Sequence, residues 1–130
     1  EFRKVHQFVQ FAVATPLQAG LADFLRECPG HARELPAFYQ AKRDHFAGHL
    51  AQTRFRFRPA AGTYFQLADY SAISDLPDVE FACWMTREAG VAVIPVSVFS
   101  QAPSAERIVR FCFAKHAATL DAAAERLRLL

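Results

Sequence analysis

Arg110 stands in the run Arg107-Ile108-Val109-Arg110-Phe111-Cys112-Phe113, which places a guanidinium inside an apolar stretch that otherwise reads as a buried strand. Alternate side chains of a strand share a face, so Arg110 points with Ile108 and Cys112 while Val109, Phe111 and Phe113 point the other way. A planar fork of N–H donors in such a place suits the bidentate grip of a carboxylate. Arg107 has the opposite parity and is expected to open the strand with its head in water. His45 and His49 sit at i and i+4, which puts both rings on one helix face, a spacing that zinc ligands also use. The intervening Phe46-Ala47-Gly48 has no glutamate after the first histidine, so HExxH chemistry is absent, a solvated helix face is expected, and no metal site is assigned. There is no GxSxG elbow, no phosphate-cradling glycine loop and no convincing Ser/His/Asp set.

These residues need elements to hold them, and the apolar spacing supplies a reading of those elements. Phe2, Val5, His6 and Val9 follow helical spacing from the first residues. After an irregular stretch near residues 10–14, Thr15 can cap a helix with Pro16 in its first turn and Gln18 completing a capping box. Leu17, Leu21, Phe24, Leu25 and Cys28 make one stripe that Pro29-Gly30 ends. Leu35, Phe38, Tyr39, Phe46 and Leu50 share the face of a following helix. From residue 54 the period changes to two, with Phe55 and Phe57 alternating against arginines, and 63–70 is the next strand. Ser74 or Asp75 can cap a helix with Pro77 in its first turn and Phe81, Trp84 and Met85 inward, stopped by Gly90. Strands at 91–94 and 107–113 follow, joined by a loop with proline and serine. Thr119 can cap a last helix whose Leu120, Ala123, Ala124 and Leu127 face inward. The order is three helices, two strands, a helix, two strands and a helix, which is an α+β layer fold with one sheet face covered by helices.

Composition narrows the classes. With 52% hydrophobic residues and thirteen phenylalanines in 130 residues, there is ample core material for one globular domain. A net charge of +2 from 15 basic and 13 acidic residues, interspersed, leaves no electrostatic footprint for nucleic acid or anionic lipid. Cys28, Cys83 and Cys112 form an odd set without CxxC, each in an apolar neighbourhood, so buried reduced thiols and a cytoplasmic location are expected. No apolar run is long enough to span a bilayer, and no export signal is legible. The first residue is Glu1, already within helical spacing, so the chain reads as a piece of a longer polypeptide.

Four blocks in one order carry a family resemblance: His6-Gln7 with Phe11 and Thr15-Pro16-Leu17-Gln18; Gly62-Thr63-Tyr64-Phe65; Gly90-Val91-Ala92-Val93-Ile94-Pro95 with Ser97 and Phe99; and the Arg110 strand. Together they resemble the C-terminal part of fold-type I, pyridoxal-phosphate-dependent aminotransferases of class I/II, in the kynurenine/methionine aminotransferase branch. The resemblance covers nearly the whole chain. It implies that Arg110 is the substrate-carboxylate arginine and that Tyr64 and Phe65, with Val96, Ser97 and Phe99, lie on segments near the substrate side chain. It also implies that Phe11 lines the active site of a partner subunit in a homodimer. Val9-Gln10 departs from the commoner Asn-Val, and Val96 stands where relatives often have glycine. Residues 1–52 would be a helical segment linking to a cofactor-binding domain, and 53–130 the small C-terminal α+β domain.

The implied activity is transfer of the amino group of an aromatic or sulphur-containing amino acid, of the methionine and kynurenine class, to a 2-oxo acid. Pyridoxal 5'-phosphate would serve the full-length enzyme. The chain's lysines are Lys4, Lys42 and Lys115, and none has the Ser-x-x-Lys setting of the family's Schiff-base lysine. The cofactor is therefore expected to be absent from this fragment, with no catalytic or cofactor-binding residue in it, and the fragment alone to be inactive. The alternative from another class is an RNA-binding module: Arg110-Phe111-Cys112-Phe113 resembles a base-stacking strand, and arginines interleave with Phe55 and Phe57. Against it, the element order is not βαββαβ and the glycines of that signature are missing.

Overall fold

The computed structural model describes residues 1–101 and 106–130, and these form two compact units, 1–36 and 37–130. Part of the expected loop before the Arg110 strand, 102–105, lies outside the described residues.

In the first unit, α1 (Phe2–Val9) and α2 (Thr15–Glu27) form where the apolar spacing places them, yet neither buries a residue. The cap of α2 differs from expectation. Ala14 is its N-cap, Thr15 is already helical, and the Gln18 amide donates to the Val13 carbonyl at 3.1 Å instead of closing a capping box. Cys28 ends the helix, and α3 (His31–Leu50) starts three residues later. Pro36 lies inside α3, where it lacks the N–H that would return to the Ala32 carbonyl.

The second unit is built on three antiparallel strands, β1 (Phe65–Asp69), β2 (Ile94–Pro95) and β3 (Ile108–Cys112), in the order β1-β3-β2. The β1–β3 register sets Phe65 opposite Cys112, Leu67 opposite Arg110 and Asp69 opposite Ile108, while β2 sets Ile94 opposite Arg110. Gln66, Ala68, Val109, Phe111 and Phe113 are buried on one face. Behind them pack Phe46 and Leu50 from α3, Phe81 from α4 (Asp78–Trp84), and Leu120 and Leu127 from α5 (Ala117–Leu127). Aromatic contacts knit this core: Phe55 meets Phe111 edge-on at 5.2 Å, and Tyr70 stacks on Phe81 at 3.8 Å. The α+β expectation holds, with helices on one sheet face.

Individual elements depart from it for identifiable reasons. Residues 54–58 make a single bridge, Arg56 to Asp69, rather than a strand. What fixes the chain beyond it is the buried Gln66, whose amide donates to the Arg58 and Leu67 carbonyls and accepts from the Ala60 N–H. Residues 91–93 are unpaired, because β2 meets β3 over only two residues. Neither Ser74 nor Asp75 caps α4: the Ser74 hydroxyl accepts the Leu76 N–H, Asp75 pairs with Arg107 at 2.7 Å, and Pro77 is the N-cap. The N-cap of α5 is His116, not Thr119. The α4 helix runs on into a π-helical turn, Met85–Ala89, which ends at Gly90 with φ 65°. A side chain there would also collide with Arg126, whose guanidinium donates to the Gly90 carbonyl at 2.9 Å. All three cysteines are exposed, contrary to expectation; Cys112 shares the parity of Arg110 and so faces away from the core. Among the described residues no helix is long and apolar enough to cross a membrane.

Candidate functional site

The second sheet face carries Phe65, Leu67, Ile94, Ile108, Arg110 and Cys112, and none of them is buried. Arg110 occupies its centre, on the middle strand, between Leu67 and Ile94. Its guanidinium carbon lies 4.7 Å from the Phe65 ring centre and 5.2 Å from that of Phe99. Rings attract the cation through their faces but accept little from its N–H groups. Among the described residues no carboxylate pairs with Arg110, whereas Arg107, of opposite parity, pairs with the exposed Asp75 at the surface.

Phe99 reaches this position on a short 3-10 turn, Ser97–Phe99. That turn is anchored through Asp78: the Ser97 N–H donates to Asp78 Oδ2 and the Ser97 hydroxyl to Oδ1, each at 2.7 Å. Asp78 is 6% exposed at the start of α4, where the helix dipole also favours negative charge. Burial pushes its carboxyl up, but the Ser97 hydroxyl and amide, with the Val79 and Val96 amides, outweigh that and hold it below 3.8. Nothing in the sequence singled out Asp78; an acid one residue after a proline N-cap was the available signal.

Tyr64 is 54% exposed and lies 5.8 Å, ring to ring, from Phe65, so it is one aromatic contact away from Arg110. The preceding Thr63 has φ 67°, a strained backbone state for a β-branched residue. Phe11, also with positive φ, is 91% exposed in the first unit. The structure thus brings Tyr64 and Arg110 around Phe65. Of the lysines, Lys4 pairs with Glu1, and the Lys42 ammonium donates to the Lys115 carbonyl at 2.6 Å while lying over Phe38. Both are engaged where they stand, whereas a Schiff-base anchor needs a lysine free to reach a carbonyl carbon.

His45 and His49 are not simply solvated. Their Nε2 atoms converge on Asp121 Oδ1 of α5 at 2.7 and 2.8 Å. The histidine hydrogen bonds hold the Asp121 carboxyl below 3.8. The i, i+4 spacing was visible in the sequence, but the acid that completes the group lies over 70 residues away and was not.

The sequence model of the aminotransferase class I and II family matches residues 1–127, and the chain belongs to that family. It is 54% identical to methionine aminotransferase of Escherichia coli (strain K12) over 130 residues, all of this chain and 34% of the relative. It is 38% identical to kynurenine–oxoglutarate transaminase 3 of Rattus norvegicus, over 97% of this chain and 32% of that one. Among solved structures, YbdL of E. coli, for which a methionine aminotransferase function was identified, superposes with a TM-score of 0.90 at 54% identity, covering 98% of this chain and 34% of that one. N-succinyldiaminopimelate aminotransferase of Mycobacterium tuberculosis gives 0.84 at 31% identity, covering 95% and 32%. The chain therefore spans about a third of the length of the relatives it matches. The family implied by the four sequence blocks is the family found.

Proposed function

We propose that this chain is the carboxylate-binding C-terminal part of a pyridoxal-phosphate-dependent aminotransferase acting on methionine-class or aromatic amino acids with a 2-oxo acid as acceptor. The observation that carries this reading is Arg110: a guanidinium on an open sheet face, held by the rings of Phe65 and Phe99, with no anion beside it among the described residues. An amino acid's carboxylate is the planar anion that such a fork fits, and two parallel hydrogen bonds would fix the substrate's orientation. Tyr64 would border the substrate side chain, and Phe11 would line the site of the second subunit in a homodimer. Residues 1–52 would act as the helical link and 53–130 as the small domain, with Phe46 and Leu50 of α3 in its core. Pyridoxal phosphate supplies the electron sink for amino transfer when bound. Since none of Lys4, Lys42 and Lys115 has the family's Ser-x-x-Lys setting, it would be held by residues outside this chain, and the chain alone would be inactive. A cytoplasmic enzyme is the setting we assign.

The relatives' names support the substrate class, being methionine and kynurenine aminotransferases. We do not adopt the RNA-binding alternative. Of the aromatics on which it rests, Phe55, Phe111 and Phe113 are buried and Phe57 is half-buried against the core, so they offer bases no open platform. The test is Arg110→Lys in the full-length protein. Losing one charge-assisted hydrogen bond of about 1.5–3 kcal/mol should weaken amino-acid binding by about tenfold to hundredfold, with cofactor binding unchanged. A substrate titration indistinguishable from wild type would remove Arg110 from the role.

A further inference from the structure

A second cluster of chemistry-bearing side chains lies apart from Arg110. His45 and His49 project from successive turns of α3, their rings packed edge to face with centres 4.6 Å apart. Both Nε2 atoms aim at Asp121 Oδ1 on α5, at 2.7 and 2.8 Å. The three donor groups lie within 4.8 Å of one another. Side-chain exposures of 41%, 21% and 48% leave the point of convergence open to solvent. The amino-transfer reading uses none of these residues.

We propose that His45, His49 and Asp121 form a binding site for a borderline divalent transition-metal ion, of the Zn²⁺, Co²⁺ or Ni²⁺ kind, that ties α3 to α5. Two imidazoles and one carboxylate are a donor set for such ions, whereas Mg²⁺ and Ca²⁺ take oxygen. Ligand bonds of about 2.0–2.2 Å around one ion separate neighbouring donors by roughly 3–3.5 Å. The two contacts to Asp121 must therefore open by about half an ångström while the remaining donor pair, within 4.8 Å, closes toward the same spacing, adjustments that χ rotations of these exposed and half-buried side chains supply. Water would complete the coordination.

Arg128 sets the condition for binding. Its Nη2 lies 2.9 Å from His49 Nδ1. A guanidinium only donates, so Nδ1 accepts and the His49 proton is on Nε2, toward Asp121. A metal ion on Nε2 needs that nitrogen's lone pair, so the proton moves to Nδ1, where it would face the Arg128 N–H. Metal binding and the Arg128–His49 hydrogen bond therefore exclude each other, and Arg128 acts as a gate. In metal-binding proteins the second ring nitrogen commonly donates to an acceptor, the opposite of what Arg128 offers.

The experiment takes the full-length polypeptide carrying this chain, stripped with chelator and titrated with Co²⁺ followed by optical absorption, then with Zn²⁺ in competition. Wild type should bind one ion at this site with a nitrogen/oxygen-type spectrum lacking thiolate-to-metal charge transfer, which separates it from binding at the three exposed cysteines. His45→Gln, His49→Gln and Asp121→Asn should each weaken that ion by about tenfold or more, and Arg128→Gln should tighten it several-fold. Arg110→Lys should leave it unchanged, so the two readings fail separately. Circular dichroism of each variant distinguishes ligand loss from unfolding, and thermal protection of wild type by Zn²⁺ gives a second readout. Equal Co²⁺ binding by wild type and the folded triple variant, or no such spectrum in wild type, overturns the site; an unchanged affinity in Arg128→Gln overturns the gate.

Discussion

Arg110 draws its setting from two phenylalanines that the sequence reading had placed near the substrate without linking them to it. The parity of β3 was legible because Val109, Phe111 and Phe113 alternate with it without interruption. The aromatic cradle was not, since Phe65 and Phe99 come from segments 45 and 11 residues away and meet Arg110 only through the sheet register and the 3-10 turn. Each ring contributes about 0.5–1 kcal/mol to an exposed cation. Phe99→Ala in the full-length protein is therefore expected to weaken amino-acid binding about twofold to fivefold, less than loss of the arginine fork, through a guanidinium held less firmly. Equilibrium titration of the amino acid checks it, and an effect equal to that of Arg110→Lys would mean that Phe99 contacts the ligand itself.

At the scale of elements, the helices and the strands β1 and β3 were readable, whereas the strands expected at 54–58 and 91–94 were not. The stripe of Leu120, Ala124 and Leu127 buries as α5 because a helix fixes its own hydrogen bonds, so local spacing suffices. Residues 54–58 and 91–93 have strand-like alternation, but a strand also needs a partner along its length, which the single Arg56–Asp69 bridge and the two-residue β2 do not provide. The Asp78–Ser97 anchor belongs to this scale, because it ties α4 to the turn bearing Phe99. Asp78→Ala would leave the Ser97 N–H without its acceptor and is expected to cost about 1–3 kcal/mol near neutral pH. The folded carboxyl titrates below its ordinary 3.8, so its contribution is complete above that value and is lost as pH falls through the lower folded value. Urea midpoints of wild type and Asp78→Ala should accordingly converge in acid; a constant gap would deny the carboxylate its part.

For the whole molecule, the two units differ in how they are held. The second has a packed aromatic core, whereas α1 and α2 bury nothing, with Phe2, Phe8, Phe11, Leu17 and Leu21 all exposed. Helices without a buried face depend on propensity alone, and at 8 and 13 residues they are too short for that. Hydrogen exchange on the 130-residue chain should therefore show amides of α1 and α2 exchanging on a far shorter timescale than those of β3 and the C-terminal turns of α3. Equal protection across both units would refute this. The sequence showed the apolar stripes but could not show that they lie exposed, since composition counts apolar residues and not their neighbours.

The pairing of Leu67 and Ile94 with Arg110 also makes the sheet intolerant of one kind of error. Adding or removing a single residue between Ile108 and Arg110 would invert the handedness of presentation, steering a permanent cation among Phe46, Phe55 and Phe81 and turning an oily ring outward in its stead.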